Sequence, residues 1–226
     1  MKGTLVNTAA IIAGSIIGIS AGRFLPERIK TIVVHALGLA VVFIGIKMAI
    51  SGREPIVIIG CVLFGAITGE LIRIEQGVEY VGEWLKKRAR SDSSTFVQGF
   101  VSASVLYLTG AMTIVGSIQD GSVGDASLLY IKSLLDGVAS IALSSTLGIG
   151  VAFSAVSVFI VQGSITLMSS KLLFMQNPAV IEAVTAAGGL LILGIGTNIL
   201  GLTKIKVGNF IPALFYAILW TVFFSK

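Results

Sequence analysis

The chain has one cysteine, Cys61, and one histidine, His35. An internal disulfide is excluded, and so is a cysteine–histidine metal centre within one chain. Charge is scarce as well. Only 12% of the 226 residues are Asp, Glu, Lys or Arg, against about 25% in ordinary soluble domains. There is no G-x-x-x-x-G-K-[ST] phosphate loop, no H-E-x-x-H and no G-x-S-x-G. A built-in P-loop ATPase and the common hydrolase sites are thus missing from the pattern. No haem or flavin signature occurs, and no soluble catalytic domain is attached. These absences point away from an enzyme and from any resident cofactor or metal.

The residues that are present are apolar: 55% are hydrophobic and the mean hydropathy is +0.98. A chain of this length has too much surface to hide that composition in its own interior. The solvent for most of the outside is therefore lipid. No polar linker divides the chain, so one membrane domain over residues 1–226 is expected. The net charge of +5 sits in short loops, where orientation in a bilayer explains it better than nucleic acid does.

A spanning helix needs about 20 mostly apolar residues. Such stretches lie near 4–22, 31–51, 55–72, 95–117, 147–173, 179–202 and 206–224. The fold class is all-α polytopic membrane protein with seven or eight transmembrane helices. The uncertain span, near 124–145, carries Lys132, Ser133, Asp136, Ser140, Ser144 and Ser145; it either crosses or re-enters as a hairpin sheltered by protein. Residues 73–90 differ in kind. Ile74, Val78, Val81 and Leu85 share one helical face, and Tyr80 and Trp84 suit the headgroup level, so a surface amphipathic helix is expected. Its Arg73, Lys86, Lys87, Arg88 and Arg90 place it in the cytoplasm and the N-terminus outside. Eight spans put Lys204 and Lys206 inside and Lys171 and Lys226 outside; seven reverse these four.

One internal echo organises the chain. Gly14-Ser15-Ile16 recurs as Gly163-Ser164-Ile165, Gly45 as Gly194 and Gly52 as Gly201, each 149 positions on. A three-helix unit at 4–72 returns at 153–221, flanking the surface helix and central helices at 95–145. The echo also argues that Met1–Ala21, which has the look of a signal peptide, is a retained first span. Eight spans make the two copies inverted and seven make them parallel. Eight is favoured, since residues 127–145 are long enough to cross. Repeated membrane units commonly hold a substrate site between them, near the midplane.

Charges inside a membrane are costly, and usually functional or paired. The candidates are Lys47, Glu70, Lys132 and Asp136. Lys132 and Asp136 are four apart and share a helical face, as a pair that only tolerates burial or as a gated pair. Gly116-Ser117-Ile118-Gln119-Asp120-Gly121 reads as a turn whose Ser117, Gln119 and Asp120 line an ion pathway, or as an ordinary turn. Gly194-Ile195-Gly196, matched by Gly45-Ile46-Lys47, reads as a pair of helix breaks at a midplane site, with Asn198 and Lys47 as the nearest polar groups. Close helix packing is the competing reading of these glycines. Gln162 faces the same expected cavity, and Asn7 and Gln98 are lesser candidates.

Gly110-Ala111-Met112, Gly116–Gly121, Lys132-Ser133 with Leu135-Asp136-Gly137, and Thr146-Leu147-Gly148-Ile149-Gly150 together resemble one family: the bacterial membrane proteins of unknown function that include YdfK- and YqgA-like sequences. Gly3-Thr4 with Asn7 and Gly14, and Gly69-Glu70-Leu71 before Ile74-Glu75, fit the same resemblance, which covers the chain. It implies a multi-pass protein of a prokaryotic plasma membrane, often labelled a transporter, and brings no substrate or catalytic residue with it.

Two functions follow as expectations. One is a secondary transporter or channel-like carrier for a small polar solute or ion. The other is a non-transporting membrane scaffold or assembly factor, in which Lys132 and Asp136 pair tightly with no water path. The expected partners are the lipid bilayer and an unidentified small solute or ion, with no nucleic acid; the many small-residue faces are compatible with a homodimer.

Overall fold

The structure, a computed structural model, describes residues 1–24 and 26–224; Lys226, one of the charges bearing on orientation, lies outside them. Ten α-helices follow one another: α1 (Lys2–Arg23), α2 (Glu27–Ala49), α3 (Pro55–Leu71), α4 (Ile74–Arg88), α5 (Phe96–Leu108), α6 (Ala111–Ser122), α7 (Ser127–Leu147), α8 (Gly150–Leu167), α9 (Pro178–Ile199) and α10 (Pro212–Phe224). Short 3-10 turns occupy Ser169–Lys171, Leu173–Gln176 and Val207–Phe210. Among the described residues there is no strand.

Local chemistry sets these boundaries. Pro55, Pro178 and Pro212 open their helices, where a missing N–H costs nothing. The Asn177 side chain caps α9, its Oδ1 accepting from the Ala179 N–H at 3.0 Å. Gly148 (φ 74°) and Gly201 (φ 71°) close α7 and α9 in the left-handed region that glycine enters freely.

Six segments are long and apolar enough to cross a membrane, and eight are if each of two bent helix pairs counts as one span. The stretch near 124–145 forms α7, one 21-residue helix over Ser127–Leu147, and not a hairpin. The stretch 95–117 does not form one helix: it divides at Thr109–Gly110 into α5 and α6, bent by 63°. The amphipathic segment at 73–90 is α4, which leaves α3 at 62°. Arg73 turns that corner with φ 58°, a left-handed conformation uncommon outside glycine.

The chain packs as two compact units, each drawn from distant stretches: 1–33, 79–108 and 112–174 form the first, and 34–78, 109–111 and 175–226 the second. In the first unit α1 lies along α7 in the same direction, with Asn7 beside Asp136, Gly14 beside Gly137 and Gly22 beside Ser145. Against α8 it runs antiparallel, Thr4 meeting Thr166 and Asn7 meeting Gln162. Helix α5 runs parallel to α8, through Phe96 on Phe153 (ring centroids 5.3 Å) and Ser104 on Ser157. In the second unit α2 and α9 are antiparallel, with Gly38 on Leu200 and Gly45 on Gly189 and Leu193. There α3 is antiparallel to the segment 207–224, through Gly65 on Ala213 and Gly69 on Asn209.

Candidate functional site

Helices α1, α7 and α8 of the first unit bring a cluster of polar and charged side chains into its interior. Asp136 stands at the middle of α7. Its Oδ2 accepts from Lys132 Nζ at 2.5 Å and from Asn7 Nδ2 at 3.0 Å. The same Asn7 amide donates to Gln162 Oε1 at 3.0 Å. Gln162 Nε2 donates to Thr4 Oγ1 at 3.2 Å, Thr4 and Thr166 share a hydroxyl contact at 3.2 Å, and Thr166 Oγ1 donates to the Gln162 carbonyl at 3.0 Å. These bonds form one directional chain, in which each hydroxyl both accepts and donates. Thr4, Asn7 and Gln162 are fully buried, Lys132 is 5% exposed and Asp136 7%.

One acceptor in the cluster is left over. Asn7 Oδ1 is buried without a hydrogen-bond partner, as are the hydroxyls of Ser15 and Ser117. A buried acceptor that lacks a donor costs about 1–3 kcal/mol. On the other side, Lys132 Nζ lies 5.9 Å from the centre of the Tyr107 ring, within reach of a cation–π attraction, and Tyr107 OH meets Ser140 Oγ at 2.8 Å.

The candidates from the sequence divide between the two units. Lys132, Asp136 and Gln162 join in the cluster. Asp120, also in the first unit, is buried and accepts from the Gly3 N–H (3.1 Å) and the N-terminal amine of Met1 (2.9 Å). Ser117 is buried and Gln119 half-buried on the same helix, α6. Lys47, Glu70 and Asn198 belong to the second unit. Lys47 is exposed. Glu70 accepts from Asn209 Nδ2 (2.5 Å) and pairs with Lys206 at 3.4 Å. Asn198 holds its own loop: Nδ2 donates to the Ile205 carbonyl, and Oδ1 accepts from Thr203 Oγ1 and the Ile205 N–H.

The expected helix breaks do not form. Gly45 lies inside α2, Gly116 and Gly121 inside α6, and Gly194 and Gly196 inside α9; residues 116–121 are therefore helix and not a turn. In lipid the backbone has no water to bond instead, so glycine stays helical and its missing side chain serves close approach. A Cβ on Gly45 would stand 2.6 Å from the Leu193 nitrogen, one on Gly196 2.7 Å from Val42 Cγ2, and one on Gly116 2.8 Å from Leu129 Cδ2. Gly121 presses on the Thr166 carbonyl, whereas Gly194 makes only ordinary contacts with Ile205 and Val207.

The sequence marks Asn7 only as a lesser candidate, Ser140 only as part of a polar span and Thr4 only within the family resemblance, and it gives no role to Thr166 or Tyr107. A signal was there: Thr4 with Asn7, and Gln162 with Thr166, stand at helical i,i+3 and i,i+4 spacing inside apolar runs.

Helices of spanning length around a buried charged cluster define a polytopic membrane protein. The chain belongs to the family described as "Protein of unknown function (DUF554)", whose model matches residues 2–222. It is 34% identical over 218 residues to the "Uncharacterized membrane protein YdfK" of Bacillus subtilis (strain 168), covering 95% of this chain and 93% of that protein. It is 29% identical over 232 residues to the "Uncharacterized protein YqgA" of Escherichia coli (strain K12), covering 99% of each. No solved structure matches the chain.

Proposed function

We propose that the protein is a secondary transporter or channel-like carrier for a small polar solute or ion in a prokaryotic plasma membrane, built on two inverted copies of a three-helix unit. The observation that carries this reading is the cluster itself, where Thr4 and Asn7 of α1 and Gln162 and Thr166 of α8 meet around Asp136. Helices α1 and α8 open the two sequence-related copies. A charge at the centre of a membrane helix costs about 2.5–3.5 kcal/mol, and an apolar pair would serve packing at least as well.

Helix directions support inversion. Each helix of the first copy packs antiparallel to its counterpart 149 residues on: α1 with α8 in one unit, and α2 with α9 and α3 with α10 in the other. If α7 did not cross, α1 and α8 would run the same way. Cysteines introduced in α4 label from the cytoplasmic side under this topology, and labelling from outside alone would reverse it.

The functional test is osmotic swelling of proteoliposomes in a panel of salts and small polar solutes. Asp136→Asn abolishes flux while the protein still inserts. Because the lone Lys132 destabilises by itself, the Lys132→Met/Asp136→Leu double variant accompanies it; full flux from a stable double variant would overturn the site assignment. The tightness of the Lys132–Asp136 contact favours a second reading, a non-transporting scaffold, which predicts no flux for any solute.

A further inference from the structure

Three features of the cluster bear on what it binds. The first is its donor set. Asn7 Oδ1, Asp136, Gln162 Oε1 and the hydroxyls of Thr4 and Thr166 are oxygens gathered around two buried amides that are bonded to each other, Asn7 and Gln162. The second is the Asn7 carbonyl oxygen, fully buried and without a donor. It is bonded to the same carbon as the nitrogen that reaches Asp136 and Gln162, so it lies within the cluster. The third is charge. The group that neutralises Asp136 is the ammonium of Lys132, a monovalent cation at the end of a flexible stem.

We propose that this cluster is a binding site for a small monovalent cation, sodium in the first instance, for which the Lys132 ammonium is an internal stand-in. When sodium binds, the ammonium withdraws from Asp136. The ion then takes oxygens from Asp136, the unpartnered Asn7 carbonyl, Gln162 and the Thr4–Thr166 pair. Hard oxygen donors suit a hard cation and not a thiophilic metal. Charge selects the valence. A monovalent ion neutralises the one carboxylate and leaves the displaced ammonium, held on the Tyr107 face, as the one uncompensated charge, whereas a divalent ion would add a second to an apolar interior. Among the described residues no group of three or more His, Cys, Asp or Glu stands together, as a divalent site ordinarily requires. The withdrawn ammonium keeps a favourable surface, the face of Tyr107.

This inference rests on the carrier reading but is tested without transport. The full chain in lipid nanodiscs is heated in sodium chloride against N-methyl-D-glucamine chloride at constant ionic strength, with potassium chloride as a third arm. Sodium raises the unfolding midpoint of the native protein in a saturable way. Lys132→Met removes the internal competitor and lowers the half-saturating sodium concentration by about tenfold or more, since the competent fraction no longer limits binding. That variant leaves Asp136 unpaired, so it folds poorly in N-methyl-D-glucamine and is rescued by sodium. Asn7→Leu, with the Lys132–Asp136 pair intact, loses the sodium response. A native protein whose midpoint is the same in all three salts overturns the proposal. If Asp136-dependent flux of another solute persists, the carrier reading survives; if no solute moves, both fall. A midpoint that rises equally in sodium and in potassium also overturns the assignment of sodium as the preferred ion.

Discussion

In the unit built around α1, α5, α7 and α8, the buried positions include Thr4, Asn7, Ser104, Ser117, Asp120, Lys132, Asp136, Ser140, Ser144, Ser154, Gln162 and Thr166. In the unit built around α3, α9 and α10, the buried polar positions are fewer, Thr109, Asn209 and Thr221 among the described residues, and the core includes Ile58, Cys61, Ala186, Ala187 and Ala217. Both units use glycine to bring helices together. Gly14, Gly18 and Gly22 lay α1 on the carbonyls of α7, and Gly45, Gly65, Gly189 and Gly196 do the same work in the second. Glycine packing is thus common ground, and among the described residues the buried charges, Asp120, Lys132 and Asp136, belong to one unit. In lipid, helix association gains nothing from hydrophobic burial and relies on close packing. The second unit meets that need chiefly with small residues, beside a few buried polar ones. The polar groups of the first go beyond it, which is why function is placed there.

The largest expected effect breaks the second unit through its packing. Gly189→Leu pushes a side chain into Ala49 and the Gly45 carbonyl, both backbone of α2. Both backbone atoms stand under 3.0 Å from the would-be Cβ and cannot turn aside as a side chain would, so the expected outcome is loss of folded protein in detergent. Gly60→Leu is the control. Nothing stands within 4 Å of its would-be Cβ, so the unfolding midpoint stays near that of the native chain.

Next in size is the polar core of the first unit. Asp136→Leu leaves Lys132 buried and unpaired and destabilises by about 3–5 kcal/mol, most of which Lys132→Met in the same chain restores. A chemical-unfolding double-mutant cycle measures this coupling. An additive cycle would show that the pair is already open to water and would erase the contrast between the two units.

A smaller effect tests the one buried amide of the second unit's polar edge. Asn209 donates to Glu70, and its Oδ1 accepts from the Glu75 N–H at 2.6 Å, while Glu75 Oε2 accepts from the Gly208 N–H at 2.5 Å. These bonds tie the corner between α3 and α4 to the turn at Val207–Phe210. Asn209→Ala removes two of them and costs about 1–3 kcal/mol. Proteolysis near Arg73 then increases while the first unit stays protected.

The smallest effect concerns Asp125, at the exposed start of α7. Its carboxylate accepts from the Ser127 side, including the N–H at 2.9 Å, and this holds its pKa below the usual carboxylate value. A depressed folded-state pKa contributes stability that is full above the unfolded value of about 3.9 and is lost as pH falls through the folded value. Asp125→Asn keeps the acceptor and removes this acid dependence. A pH titration of the unfolding midpoint below about pH 4 shows a slightly shallower fall for the variant.

Scarce charge and long apolar runs leave only lipid as the solvent and so fix the class of the protein, because hydropathy is a local property that needs no fold to be read. The sequence by itself also located the amphipathic helix α4, whose faces follow from spacing alone, and it placed Lys132 and Asp136 together, since i,i+4 is fixed by helix geometry. Tertiary structure decided everything that depends on a partner far along the chain. Asn7 is one amide among several until α7 and α8 bring Asp136 and Gln162 to it, 129 and 155 residues away. Gly45, Gly194 and Gly196 permit a break and a close contact equally, and only the facing backbone of a second helix selects between them. Asn198, polar beside those glycines, turns to its own loop and bonds Thr203 and Ile205. Composition reports the solvent a segment will meet; it holds no record of which side chain will stand opposite, because that contact is made by the packing of whole helices.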